Sequence, residues 1–299
     1  MSGFEGSSIL GISAGGYHAE VTNSGAGIVS LTHKGRHLVL PPAAPSDGAA
    51  AFDLAGKTLV PWPNRVAGGT YVFDGVRHQL PINNTAHMSA DHGLLAWALW
   101  YVTERRADTL TLETEVCPQP GYPFHLRATA NFLLDAEAGL RVIVSVQNVG
   151  DEAAPVGIGS HPYLTCNLAS IDNCLLLLPA SQVLLTDQNL TPTSVVAVDG
   201  SNADFRTSTI IGDRQLDNAF AGLPPQQWQL DLTSGDTGMI VRLTSDSKWV
   251  QLFTAEHRGR VGLAAEPMTC PPNAFNSGTD LFRLEPGRIA ALSYSIREV

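Results

Sequence analysis

Charge is scarce in this chain, at 15% of residues, and its basic residues form no cluster: 18 Lys and Arg stand against 28 Asp and Glu, for a formal net charge of -10. Affinity for a phosphate backbone rests mainly on Lys and Arg contacts, so no nucleic-acid partner is expected. Long hydrophobic runs are missing as well. No window holds the roughly 18 uninterrupted apolar residues of a membrane span, and residues 1–15 lack a basic stretch followed by an apolar one. The expectation is a soluble, cytoplasmic protein with no membrane partner. Cysteine is sparse: Cys117, Cys166, Cys174 and Cys270 show neither a C-x-x-C spacing nor histidines at zinc-motif intervals, which predicts reduced packing residues. Nothing in the 299 residues reads as a linker, a fixed-period repeat or a long amphipathic helix. With 44% of residues hydrophobic, one domain over 1–299 has ample material for a core, and large all-β units often reach this length.

What the chain does have is alternation of period two. In Thr109-Leu110-Thr111-Leu112-Glu113-Thr114-Glu115-Val116, Leu110, Leu112, Thr114 and Val116 share one face of a predicted strand. Similar runs rich in Val, Ile, Phe, Tyr and Thr occupy 126–134, 140–147, 239–243, 249–254 and 289–296. Between runs lie turn formers such as Asn148-Val149-Gly150-Asp151, Asp199-Gly200-Ser201-Asn202 and Ser234-Gly235-Asp236. Many strands joined by many turns predict an all-β sandwich or barrel. The Ala/Pro-rich stretch 41–51 is expected to be a surface loop.

Three polar segments break the strand rhythm. The first is Pro61-Trp62-Pro63-Asn64-Arg65, followed by Gly68-Gly69-Thr70-Tyr71 and later by Asp91-His92-Gly93. Two prolines fix the backbone, Trp62 offers an apolar plate, and Arg65 and His92 offer hydrogen-bond donors suited to sugar hydroxyls. A surface ion pair for Arg65 and a turn cap for His92 fit the same residues. The second is Gly157-Ile158-Gly159-Ser160-His161-Pro162-Tyr163-Leu164, where Pro162 holds His161 on an extended backbone. A histidine, with an unperturbed pKa of about 6.5, can act as a general acid; a hydrogen-bonded structural histidine is the alternative. The third is Gly262-Leu263-Ala264-Ala265-Glu266-Pro267-Met268-Thr269. Glu266 is expected at a strand end, beside apolar neighbours that raise its basicity as a general base requires; a solvated turn glutamate is the alternative.

Taken in order, Pro-Asn-Arg, His-Gly, a Gly-rich His-x-Tyr-Leu, Leu-Asp in Gln215-Leu216-Asp217-Asn218 and finally Glu-Pro, these segments resemble the aldose 1-epimerase, or galactose mutarotase, family. The resemblance extends from about Gly25 to Tyr294 and takes in Gly69-Thr70-Tyr71-Val72-Phe73-Asp74-Gly75 and Asn273-Ala274-Phe275-Asn276. It implies an all-β fold, a large antiparallel β-sandwich of the galactose mutarotase-like supersandwich type. It further implies Glu266 as general base, His161 as general acid, and Arg65, His92 and Asp217 as sugar-binding groups, with no metal and no cofactor. The implied partner is a small sugar, and the chain a monomer or homodimer. Base and acid are expected on opposite sides of the sugar ring.

The chain departs from the family in having Ser160 where Asn commonly precedes the catalytic histidine, and Tyr163-Leu164-Thr165 after it. The Trp62 and Glu266-Pro267-Met268-Thr269 features look closer to a bacterial branch of epimerase-like proteins, which leaves the sugar open. A carbohydrate-binding module accounts for Trp62 and Arg65 without a need for the acid and base. An epimerase for an anionic, phosphorylated or sulfonated hexose calls for cations, and Arg65, Arg77, His125 and Arg127 are unclustered in sequence. A glycoside hydrolase needs a second carboxylate beside Glu266, for which Asp217 is the candidate. His78, His87, His125 and His257 carry no motif and are expected to be structural.

Overall fold

The alternating segments become strands in the computed structural model, which describes residues 7–42 and 54–299. Thr109–Val116 buries Leu110, Leu112, Thr114 and Val116, and the ten-residue strands Leu126–Asp135 and Gly139–Asn148 bury every second side chain. Most of the stretch 41–51 lies outside the described residues. The single α-helix among them, Ala274–Ser277, has four residues.

Two antiparallel sheets carry the architecture. A nine-stranded sheet runs Tyr101–Arg105, Thr109–Val116, Leu126–Asp135, Gly139–Asn148, Ile289–Glu298, Ile240–Ser245, Trp228–Ser234, Cys174–Leu177 and Thr209–Ile210. A twelve-stranded sheet has at its centre Tyr163–Leu164, Leu263–Met268, Trp249–Phe253 and Asp217–Ala221. The inward faces of both form one apolar core: Val142, Val144, Leu243 and Leu292 from the smaller sheet meet Phe220, Val250, Leu252, Leu263 and Ala265 from the larger. Burial of each such Val, Leu or Phe stabilises the fold by about 1.5–3 kcal/mol. Ser160 Oγ and Tyr294 Oη form a polar contact across this core at 2.7 Å. Ser160, the departure from the family pattern, thus faces inward to satisfy a buried phenol.

Leu263–Met268 is buried throughout, because the larger sheet is covered on its outer face too. There Ala264 and Tyr163 pack with Leu40, Ala55 and Ala255, while Met268 and Trp249 pack with Leu184, Ala219 and Ala221. Between these two small apolar clusters the same outer face carries a row of polar side chains.

Glu266 belongs to that row, and it sits inside the strand rather than at its end. Pro267 does not terminate the strand because only one ladder bond is lost. Ala265 N–H donates to Pro162 O and Thr269 N–H to Ile158 O, and Pro267, lying between them, has no N–H to donate. On its other edge the strand pairs without interruption, from Trp249↔Met268 to Phe253↔Ala264.

Candidate active site

Strand register assembles the site. Gln251 pairs with Glu266. On the opposite edge Gly159 pairs with Met268 and Tyr163 with Ala264 in a constant register, which sets His161 across from Glu266. Asp217 pairs with Phe253, two residues from Gln251 and therefore on the same face. Asp217, Gln251, Glu266 and His161 thus line up across four neighbouring segments of one sheet face. His161 Nε2 lies 3.2 Å from Glu266 Oε1, and Gln251 Nε2 donates to Asp217 Oδ1 at 2.6 Å. Tyr163, two residues beyond His161, stacks on its ring with centroids 5.0 Å apart.

The acid and base candidates therefore touch, and do not face each other across a ring-sized gap. Chemistry favours this arrangement: the anomeric hydroxyl and the ring oxygen of a sugar are bonded to the same carbon, so two groups side by side can serve both.

A second wall comes from residues 54–100. Arg65–Ala67 pairs with Ser89–Asp91, with Arg65 opposite Asp91. Asn64, in the left-handed region at φ 55°, accepts from the His92 N–H through its carbonyl and from Arg65 Nη1 through its side chain at 3.1 Å. Arg65 lies between two carboxylates, Nη2 at 3.6 Å from Asp217 Oδ2 and Nε at 3.8 Å from Asp91 Oδ2. Asp91 is fixed in turn by Ser89 Oγ and Asn84 Nδ2. The ring of His92 meets that of His161 edge-on at 5.5 Å. Arg65, His92, His161, Asp217 and Glu266 all line one cavity of about 790 Å³. Every site residue expected from the sequence is thereby brought together.

Burial sets the charges. The Glu266 carboxyl, 2% exposed, is pushed well above its ordinary pKa by desolvation and by the Asp217 charge, with Arg65 acting the other way. His92 is driven down to about 3 by desolvation and by Arg65, so at neutral pH it is an uncharged hydrogen-bonding group and not a proton reservoir. Glu266 Oε2, Gln251 Oε1, His92 Nδ1 and Arg65 Nε are all buried with no hydrogen-bond partner among the described residues.

Some expectations change. Trp62 is no sugar plate: it is 3% exposed, donates to Ala90 O at 3.0 Å and packs edge-on against Phe275 at 5.4 Å. A large apolar ring between two prolines was better spent on the core, and Trp97 lines the cavity instead. His257, which lacked any motif, stacks on Phe253 at 5.6 Å and lines the cavity beside Arg258. Gln251 also escaped sequence reading, since within Trp249–Phe253 it is simply an alternate polar residue. Cys166, Cys174 and Cys270 are buried, whereas Cys117 is exposed and is not a packing residue. Among the described residues, the donors that come close enough together to hold a metal, Glu115, Cys117 and His125, stand apart from the cavity.

One backbone position secures the His92 wall. Gly93 has φ 73°, and a Cβ there would meet Val60 O at 2.2 Å. Gly93→Ala is expected to cost roughly 1–3 kcal/mol from backbone strain, with the steric clash added, and to raise KM by displacing His92. Thermal melting and steady-state kinetics check this; an unchanged melting temperature would show that the loop yields.

Comparison with known proteins follows the same lines. Residues 8–297 match the profile of the family described as aldose 1-epimerase. The chain is 43% identical over 287 residues to the Escherichia coli K12 protein YihR, whose function is uncharacterised, covering 96% of this chain and 92% of that one. It is 30% identical over 164 residues to human galactose mutarotase, covering 52% of this chain and 46% of that enzyme. The crystal structure of a GalM/aldose epimerase homologue from C. elegans superposes with a TM-score of 0.87 at 19% identity, covering 98% and 99% of the two chains.

Proposed function

Because this chain belongs to the aldose 1-epimerase family, we propose that it interconverts the α and β anomers of a free hexose by general acid/base ring opening and reclosure. The observation that carries the reading is the buried contact of Glu266 with His161, 3.2 Å apart on the cavity floor. Glu266, as carboxylate, takes the proton of the anomeric hydroxyl while His161 Nε2–H protonates the ring oxygen. The bond between the anomeric carbon and the ring oxygen breaks and leaves an open-chain aldehyde. Rotation about the bond next to the carbonyl presents its other face. The ring then closes with roles reversed: His161 recovers its proton from the attacking hydroxyl and Glu266 returns its proton to the former carbonyl oxygen. Each positioned acid or base typically supplies about 10²- to 10⁴-fold in rate.

Arg65, His92, Asp217 and Gln251 serve as hydroxyl partners in this reading. Glu266 Oε2, Gln251 Oε1, His92 Nδ1 and Arg65 Nε are buried without a hydrogen-bond partner among the described residues, and each such atom costs about 1–3 kcal/mol until satisfied. A polyhydroxylated ligand offers both donors and acceptors at close spacing.

A second reading, an anionic hexose, draws support from the turn Glu256–Arg258. It brings His257 and Arg258 to the same cavity as Arg65, whereas Arg77, His125 and Arg127 do not line it. Polarimetry or anomer-resolved NMR exchange on glucose, galactose, glucose 6-phosphate and a 6-sulfonated hexose is expected to show acceleration with at least one. If the anionic sugars lead, Arg258→Ala should lower their kcat/KM by about tenfold or more, as loss of a charge-assisted contact would, and leave neutral sugars unchanged. No acceleration of any of the four, with sugar binding retained, would instead support a carbohydrate-binding role.

A further inference from the structure

At the far end of the nine-stranded sheet, three soft and hard donors share one exposed patch. Strand alternation puts Glu115 and Cys117 on the same face. Thr109–Val116 pairs with Leu126–Asp135 so that Glu115 opposes Arg127 and Val116 opposes Leu126, and the next step in this register sets His125 across from Cys117. The carboxylate, thiol and imidazole donor atoms all lie within 4.8 Å of one another. His125 Nε2 is 2.9 Å from Glu115 Oε2, while Arg127 Nε and Nη2 hold the other oxygen, Oε1, at 3.3 and 3.1 Å.

The connecting loop is well fixed. Gln119 and Tyr122 exchange both backbone hydrogen bonds, and the buried Tyr122 donates its hydroxyl to Pro155 O at 2.8 Å. Donor positions on two paired strands and a closed loop are thus set by the backbone, leaving only side-chain rotation to complete a site.

We propose that Glu115, Cys117 and His125 bind a divalent transition-metal cation of the zinc type, at a site separate from the sugar cavity. Thiolate and imidazole suit Zn²⁺ and Co²⁺ and disfavour Mg²⁺ and Ca²⁺, which take oxygen ligands. Metal–ligand bonds of about 2.0–2.3 Å in a tetrahedral arrangement need donor separations of roughly 3.3–3.8 Å, within reach of donor atoms that already lie within 4.8 Å of one another. Binding requires the Cys117 thiolate and replaces the hydrogen bond between His125 Nε2 and Glu115 Oε2. The fourth position is left to solvent. Arg127, gripping the distal carboxylate oxygen, orients Glu115 in the way that outer partners commonly do. The cation would clamp the Thr109–Val116 and Leu126–Asp135 pair at its loop end.

The test uses Co²⁺ as an optical probe on the full-length, chelator-treated protein. One Co²⁺ per chain is expected, with an intense near-ultraviolet thiolate-to-cobalt absorption that Zn²⁺ displaces. Cys117→Ser should abolish that absorption, and His125→Ala should weaken Zn²⁺ binding by calorimetry by about tenfold or more. Zn²⁺ should raise the melting temperature of the wild-type chain and not that of Cys117→Ser. Both substitutions are at the surface, so their metal-free melting temperatures should match the parent. Absorption that survives Cys117→Ser, or the lack of any saturable binding, would overturn the assignment. The outcome is independent of anomer exchange, since none of the three residues lines the cavity.

Discussion

Replacing Glu266 by glutamine is expected to cut anomer exchange by roughly 10²- to 10⁴-fold and, at neutral pH, to make the protein more stable. The first effect follows from the loss of the carboxylate that meets the His161 imidazole at 3.2 Å. Glutamine keeps the size and one accepting oxygen, so sugar should still bind. The second effect follows from the same burial. Desolvation and the Asp217 charge raise the folded-state pKa of Glu266 above that of the unfolded chain. The folded state therefore holds a proton that the unfolded state releases above about pH 4.3. Stability is fully present below that pH and is lost as pH rises toward the raised folded value. Glu266→Gln removes this loss, so its melting temperature should exceed that of the parent at pH 7 and converge with it near pH 4. Wild-type activity should climb with pH through the raised pKa, because only the ionised carboxylate accepts a proton. Polarimetry and melting curves across pH check both parts. A fully active variant would remove Glu266 from the mechanism, and one destabilised at pH 7 would show that pairing outweighs desolvation.

His161→Asn is expected to lower turnover by a comparable roughly 10²- to 10⁴-fold with the fold retained. Asparagine can still hydrogen-bond to Glu266 but cannot deliver a proton to the ring oxygen. His92 does not substitute for it, since burial and Arg65 hold its pKa down to about 3 and leave it uncharged at working pH. In the proposed mechanism the two residues act in one concerted exchange, so the double variant Glu266→Gln, His161→Asn should be about as slow as the slower single variant, and not slower by the product of the two effects. Single-turnover anomer exchange by NMR measures this. Multiplicative losses would mean that acid and base act in separate steps, and undiminished exchange in His161→Asn would pass the acid role to another group.

Much of the fold was legible in local pattern. The alternation at 109–116, 126–134 and 140–147 became strands with the expected buried faces, because a pleated strand half-buried in a sandwich needs little more than every second residue apolar. The polar interruptions at Asn64-Arg65, Asp91-His92, His161 and Glu266 stood out for the opposite reason, as residues that a core excludes unless they have a task. Trp62 misled because an aromatic residue beside polar ones reads alike as a binding surface and as a core anchor; only the Ala90 carbonyl waiting for its indole N–H separates the two. Pro267 after Glu266 reads in sequence as a strand end, yet it costs one rung of the ladder and no more.

By itself, then, the sequence determined the strand content, the alternation of buried faces and the residue types able to do acid/base chemistry, since all of these depend on neighbours along the chain. Tertiary structure alone decided which of those residues meet. A strand dictates that residues two apart share a face. Which residue lies opposite is set by the register between segments about 100 residues apart, as for His161 and Glu266, or by a short hairpin, as for Cys117 and His125. That register is fixed by the packing of whole sheets. The same register that aligns Val250, Leu252 and Ala265 into the core turns Gln251 and Glu266 outward together, and so builds the site from the side of the sheet the core does not use.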